Sequence, residues 1–293
     1  MRPSRAVVDL AALRHNLGVA AGRAPGSKNI AVVKANAYGH GMLEAARALE
    51  DTADALAVAT MDEAVTLRDA GLAGPLLVLQ GASCAGDLDE AAARGLWLMV
   101  HEQGQLERLL RQRCPLAAWL KIDTGMHRLG FLPADAAAAL DSLLASGAVA
   151  QPPVLCTHLA CADDLDNPAT DRQLQAFAKI TAGRDLPRSI ANSAGIMHWP
   201  GSHADWNRPG IMLYGCEPTG SFDGQSELRP VMSLVSEIMA IRDIAPGEGV
   251  GCDRVGDRAV EYAGQSRRGI DETSDLRRHE NQQLIDRSGP EVR

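Results

Sequence analysis

The sequence has no Cys-x-x-Cys pair, and its six cysteines, Cys84, Cys114, Cys156, Cys161, Cys216 and Cys252, lie scattered through 293 residues. A chain this long needs no disulfide framework to hold its core, so reduced thiols in the cytoplasm, with no bound metal, are expected. Positive charge is also short: 29 lysines and arginines against 37 acidic residues leave a formal charge of -8 and a pI near 5.5. A nucleic acid or an anionic membrane surface finds no net basic face here, so the expected partner is a small molecule. No apolar run approaches the roughly 20 residues of a membrane span, and the first residues lead into an amphipathic segment without the apolar core of a secretion signal. What the chain does have is 46% apolar residues, enough for a full core and for one large α/β barrel or two ordinary domains.

From residue 29 onward, short apolar or β-branched runs alternate with Ala/Leu/Arg/Glu segments of helical period, the pattern of a parallel sheet with crossover helices. Eight candidate strands can be read: Asn29 to Ala35, Ala55 to Thr60, Pro75 to Gln80, Trp97 to Val100, Leu116 to Asp123, Pro153 to Leu159, Arg188 to Ser193 and Asp205 to Ile211. With helices such as Met61 to Ala70 and Glu102 to Arg111 between them, they fit an α/β (β/α)8 TIM barrel better than an open doubly wound sheet. No glycine-rich dinucleotide fingerprint follows the first strand.

Residues 5 to 10 read as a strand leading into the helix Ala11 to Ala24, and Val231 to Ile244, ending at Ala-Pro-Gly-Glu-Gly, reads as a strand of a second domain. The expected organisation is a strand of that second β domain in 1–10, the barrel in 11–225, a partial, incomplete C-terminal β domain in 226–252 and a divergent tail in 253–293. In the tail about 17 of roughly 41 residues are charged and none is lysine, a composition of disorder rather than of a β domain.

In Ala31-Val-Val-Lys34-Ala-Asn-Ala-Tyr38-Gly-His-Gly41 a lysine ends an apolar strand and is followed at once by small residues and glycines. At the carboxyl rim of a barrel, desolvation lowers the pKa of such an amine toward carbonyl condensation. Taken alone, the same lysine also reads as a strand end that extends its charge to water along an apolar stem.

The run Val-Val-Lys-Ala-Asn-Ala-Tyr-Gly-His-Gly closely resembles the pyridoxal-phosphate attachment motif of alanine racemases. The resemblance extends from about Ser4 to Gly251, through Leu120-Lys-Ile-Asp-Thr-Gly-Met-His-Arg-Leu-Gly130, Thr157-His158-Leu-Ala-Cys-Ala-Asp163, Ala191-Asn-Ser193, Arg208-Pro-Gly-Ile211 and Leu213-Tyr-Gly215. Each of these motifs falls at the end of a candidate strand. The resemblance implies a homodimeric isomerase that interconverts L- and D-alanine for peptidoglycan, with pyridoxal phosphate held by Lys34, which also acts as one acid/base group. Tyr38, Asn192, Ser193, Gly210 and Ile211 would surround the phosphate, and Tyr214 either joins them or packs in the core. Arg208 would donate to the pyridine nitrogen with His158 supporting it, and because a guanidinium does not surrender its proton the ring would stay unprotonated. Arg128 would meet the substrate carboxylate. Lys121 would stand beside it, either carbamylated as in some members of the family or unmodified and paired with Asp123.

The family places a tyrosine on the opposite face of the substrate, in a Val-Gly-Tyr-Gly sequence. Here the matching stretch, Gly249-Val-Gly-Cys252-Asp253, holds Cys252. A thiol has a reference pKa of about 8.5, nearer neutrality than a phenol's, but a shorter reach. Beyond Cys252 neither Gly-Tyr-Gly-Asp-Gly nor Arg-Val-Ala-Met-Asp-Met is found. The expectation is a truncated second domain, an impaired active site and a weakened dimer. The tail suits either a shifted reading frame or natural divergence. A pyridoxal-phosphate-binding barrel without turnover is the competing function, and a barrel decarboxylase or aldolase fits Arg208 less well.

Overall fold

The computed structural model describes residues 4–150, 152–220, 226–238, 241 and 245; Cys252 and the segment 253–293 lie outside the described residues. The chain divides into a unit Met1–Val235, which holds the barrel, and a unit Ser236–Arg293. In the first unit eight parallel strands close on themselves: β2 (Lys28–Val32), β3 (Ala55–Val58), β4 (Leu76–Val78), β5 (Trp97–Val100), β6 (Ala117–Lys121), β7 (Val154–Cys156), β8 (Arg188–Ser189) and β9 (Trp206–Asn207). Closure comes from β9 pairing with β2, Lys28 opposite Trp206 and Asn29 opposite Asn207. Every expected strand is present and in the expected order; seven lie at or inside the expected limits, and β2 begins one residue before its expected start at Asn29. The other two strands among the described residues, β1 (Arg5–Val8) and β10 (Met232–Val235), form a separate antiparallel ribbon with Arg5 opposite Val235.

The helix before the first barrel strand and those between successive barrel strands cover the outside of the barrel. They are α1 (Leu10–Arg23), α2 (Met42–Leu49), α3 (Met61–Asp69), α4 (Ala85–Arg94), α5 (Gln103–Leu110), α6 (Pro133–Ala145), α7 (Ala169–Thr181) and the short α8 (Ser193–His198). Their starts are fixed chemically: the Asp9 carboxylate accepts from Ala11 N and Ala12 N, Thr60 Oγ1 from Glu63 N, and Asn192 Oδ1 from Gly195 N. Each such cap satisfies amides that the first helical turn leaves without partners.

Side chains alternate along the strands, and the two sets go to different cores. Ala31, Leu56, Val58, Leu76, Val78, Leu98, Leu120 and Leu155 meet the helices, against Leu13, Leu67, Leu106, Leu140 and Phe177. Ile30, Val32, Ala57, Leu77, Met99, Trp119, Val154 and Cys156 fill the lumen. The lumen is a packed core rather than a pore, and it separates the two ends of the barrel.

Candidate active site

The lumen-facing period carries chemistry to the carboxyl end of the strands. In β6, Trp119 is followed two residues later by Lys121; after β7 the series Val154, Cys156 reaches His158; after β9, Trp206 is followed by Arg208; and β2 runs Ile30, Val32 to Lys34 at the rim. Cations and a histidine therefore gather at one mouth, the face where barrels of this kind build their sites.

Lys34 does not continue its strand. From Ala35 to Tyr38 four successive non-glycine residues have φ of 53 to 54°, a single left-handed turn closed by Gly39 at φ 86°. The left-handed conformation costs about 1–2 kcal/mol for each such residue, so the turn persists only because its surroundings hold it. Ala35 N donates to Glu63 Oε1 at 2.7 Å, Asn36 Oδ1 accepts from Met42 N at 2.9 Å, and Gly39 N donates to Ala35 O at 3.1 Å. The Lys34 ammonium is lowered below its ordinary pKa, first by burial and then by Arg128, with Glu63 opposing.

The turn delivers Tyr38 to a corner formed with the loop after β9. A Cβ added to Gly210 would lie 2.7 Å from the Tyr38 hydroxyl and 3.9 Å from Ser193 Oγ, so only glycine allows so close a backbone approach. Ser193 Oγ accepts from Gly210 N at 2.9 Å and Met212 N at 3.2 Å. Ile211, partly exposed, opens the turn Ile211–Tyr214 beside it. The Tyr214 ring stacks on Tyr38 with centroids 4.7 Å apart, and its hydroxyl donates to Val32 O at 2.9 Å. These contacts pack Tyr214 in the core, where it braces Tyr38. Asn192 acts through its cap on α8 and through Nδ2 donating to Leu159 O at 3.2 Å, which fixes the approach to Ser193.

Arg208 is buried, 5% exposed, yet pairs with no carboxylate among the described residues. Nη1 donates to Ser189 Oγ, and Nη2 to Thr157 O at 2.6 Å and Ile190 O at 3.1 Å, with His158 Nδ1 at 3.4 Å. His158 is driven well below its ordinary pKa by burial and by Arg208, Lys121, Arg128 and Lys34, so it is neutral and accepts from the guanidinium. Lys121 is likewise pulled down, to about 8, chiefly by burial and then, against Cys156, by Arg208 and Arg128. Asp123 does not neutralise it with an ion pair. Asp123 Oδ1 is taken by Gly125 N, Met126 N and His127 N, and Oδ2 faces His127 Nδ1 at 3.3 Å, leaving no Lys121–Asp123 ion pair among the described residues. Arg128 is exposed at the mouth and makes no ion pair among the described residues.

The mouth is thus rich in cations and poor in carboxylates, and the corner at Gly210 presents a hydroxyl, a phenol and a glycine backbone. Such a donor set fits pyridoxal phosphate, which carries a phosphate, a phenolic oxygen and a carbonyl to an amine that burial has made nucleophilic. Three participants escaped the sequence reading: Glu63, Ser189 and the carbonyl of Thr157. Glu63 had a visible signal, the Thr60-x-x-Glu63 pattern of a helix start, which points to α3 and not to Lys34. Ser189 and Thr157 had none, because their roles arise from strand pairing.

Comparison with known proteins agrees with this geometry. The family described as alanine racemase, N-terminal domain, matches residues 8–218. The chain is 49% identical over 256 residues to an alanine racemase of Thioalkalivibrio sulfidiphilus, covering 85% of this chain and 70% of that protein. It is 44% identical over 275 residues to the catabolic alanine racemase of Pseudomonas aeruginosa, covering 90% and 76%. Among solved structures, the biosynthetic alanine racemase of Pseudomonas aeruginosa superimposes with a TM-score of 0.82 at 41% identity, over 87% of this chain and 72% of that one. The alanine racemase of Bartonella henselae with covalently bound pyridoxal phosphate gives 0.76 at 26%, over 87% and 72%.

Proposed function

This chain belongs to the alanine racemase family, and from that premise we propose that it interconverts L- and D-alanine at the carboxyl mouth of its barrel, with Lys34 holding pyridoxal phosphate. The observation that carries the reading is the left-handed turn at Lys34, which sets a desolvated amine at the rim and Tyr38 against Ser193 and Gly210. Bound pyridoxal phosphate supplies the electron withdrawal that acidifies the α-proton of alanine. Tyr38, Ser193, Gly210 and Ile211 would hold the phosphate. Arg208 would present an N–H to the pyridine nitrogen without surrendering its proton, which would limit electron withdrawal and keep the reaction to proton removal and return. His158, neutral, and Ser189 keep that guanidinium in place. Arg128 takes the substrate carboxylate, and Lys121, beside it, is a candidate for carbamylation because carbon dioxide reacts with an uncharged amine.

Lys34 Nζ takes and returns the α-proton on one face, and Cys252 occupies the sequence position of the group for the other. The finer proposals rest on the family: a cytoplasmic enzyme supplying D-alanine for peptidoglycan, and a homodimer weakened by the divergence beyond residue 251. Among the described residues no helix is long and apolar enough to cross a membrane. Cysteine at 252 favours a second reading, a cofactor-binding barrel with little turnover. Solvent deuterium exchange separates the two. A Lys34-based enzyme lacking an effective second base exchanges the α-proton of D-alanine with retention, exchanges L-alanine slowly, and racemises roughly 10² to 10⁴ times below a complete pair. A binding-only barrel exchanges neither enantiomer, and equal fast exchange of both would make Cys252 or another group a competent second base.

A further inference from the structure

We propose that Glu63 is the positioning residue of Lys34: its carboxylate pins the first amide of the left-handed turn and so sets where the lysine leaves the barrel rim. The inference rests on the reading of Lys34 as the attachment lysine. Glu63 sits in the first turn of α3, where a carboxylate ordinarily serves its own helix start. Here it does more. Oε2 accepts from Ala59 N at 2.8 Å, at the end of β3, while Oε1 reaches across to Ala35 N at 2.7 Å, at the end of β2. The two oxygens bridge adjacent barrel strands at their carboxyl ends.

Ala35 is exposed and belongs to none of the apolar clusters of the barrel, so core packing does not hold its amide in place. The turn's internal bonds, Ala37 N to Val33 O and Gly39 N to Ala35 O, leave the Ala35 amide to Glu63. The same carboxylate is the anion acting on Lys34, opposing burial and Arg128. A geometric clamp and a charge partner are therefore one group, and its removal should move both the turn and the protonation of the lysine. Thr60 provides the separate control. Its hydroxyl caps α3 by accepting from Glu63 N at 3.3 Å, a bond to its own helix and not to the turn.

The experiment uses the apoprotein. Lys28, Lys34, Lys121 and Lys179 are the chain's four lysines, so trace acetylation across a pH series, read by peptide mapping, titrates each one. E63Q keeps an acceptor for one amide but sets its own NH2 against the other. It should lower the Lys34 midpoint by about one pH unit and weaken pyridoxal-phosphate binding roughly tenfold, leaving the Lys179 titration unchanged. T60A should lower the melting temperature and leave the Lys34 midpoint and the cofactor affinity as in the wild type. Wild-type values for both in E63Q, or T60A reproducing E63Q, would overturn the proposal. Should E63Q not fold, wild-type hydrogen exchange decides: slow exchange of the exposed Ala35 amide supports the clamp, and free exchange overturns it. If Lys34 shifts in E63Q apoprotein while the wild type never links the cofactor, the functional reading fails and the clamp stands.

Discussion

The two mouths of the barrel are built from the same strands and have opposite characters. At the carboxyl mouth the lumen-facing positions end in Lys34, Lys121, His158 and Arg208, whereas the amino mouth is lined by Lys28, Trp97, Trp119 and Trp206. The three tryptophans pack at centroid distances of 5.6 to 6.2 Å, and Lys28 Nζ lies 5.1 Å from the Trp206 ring. They line an open cavity of about 390 Å³ together with Val154 and Asp205. Charge at this end is exposed and solvated, whereas at the other end it is desolvated, which perturbs His158 and Lys121. The contrast separates two kinds of residue that a two-residue period alone does not distinguish: rings that close a core, and cations whose pairing is left to a ligand.

If the division holds, substitutions at one end should cost chemistry and at the other stability. The largest effect is expected from Lys34→Ala, which should abolish covalent cofactor retention and lower racemisation about 10³-fold or more, since a general base alone contributes roughly 10² to 10⁴. Its urea midpoint without cofactor should match the wild type. A variant that keeps lysine-linked cofactor on peptide mapping would defeat the assignment. Next comes Trp97→Ala at the amino mouth, expected to cost roughly 2–4 kcal/mol, below or within the range for a fully buried aromatic because Trp97 is partly exposed. Turnover per cofactor-loaded molecule should stay within about twofold, as for sites with no shared partners. A hundredfold loss of turnover would show the two ends to be coupled.

How far the sequence foretold this arrangement differs between its parts. Six of the eight barrel strands, β2 to β7, were readable as short, largely apolar runs whose two faces are both buried, while Arg188–Ser189 and Trp206–Asn207 are too short and polar to show that pattern themselves. The strand ends were not readable. The strand expected over Arg188 to Ser193 pairs only at Arg188–Ser189, because Asn192 is committed to capping α8. The strand expected to reach Ala35 stops at Val32, because Lys34 opens a left-handed turn that the pattern Ala-Asn-Ala does not announce. Lys34, Tyr38, Ser193, Gly210 and Arg208 were legible only as members of motifs. The groups that hold them, Glu63, Ser189 and the Thr157 carbonyl, come from other strands and helices, and nothing in their local sequence marks them for these roles.

A smaller effect tests the charge imbalance itself. The folded state holds the Lys121 ammonium at a pKa of about 8 against an ordinary 10.5. The unfolded chain therefore binds the proton more readily between those values, and wild-type stability rises as pH increases from about 8 to 10.5 and is level below that window. Lys121→Met removes the buried cation, so it should gain about 1–3 kcal/mol at pH 7 and lose the gain by pH 10.5. Denaturation curves at the two pH values, in buffer freed of carbon dioxide, read this directly. No gain at pH 7 would mean that the ammonium is compensated in the folded state. A wild-type curve that shifts when bicarbonate is added, with no shift in Lys121→Met, would identify carbamylation as the compensation.

The smallest effect concerns the residue that joins the two ends. Ser189 Oγ accepts from Arg208 Nη1 and donates to Trp206 O at 2.8 Å, so one hydroxyl ties the guanidinium of the carboxyl mouth to the backbone of the aromatic mouth. Ser189→Ala leaves a buried N–H and a carbonyl without that partner, which should cost about 1–2 kcal/mol. Arg208 remains held by Thr157 O and Ile190 O, so its direction should loosen without being lost. Turnover should fall only severalfold, on the order of 3 to 10, with cofactor affinity nearly unchanged. The pH dependence of turnover should keep its shape, because the serine touches Arg208 and not Lys34. A thousandfold loss would mean that the two mouths cannot be separated and that the aromatic end sets the electronics of the other. A loss in neither stability nor turnover would mean that water takes the place of the hydroxyl, and that the lumen between the mouths is wetter than its packing implies.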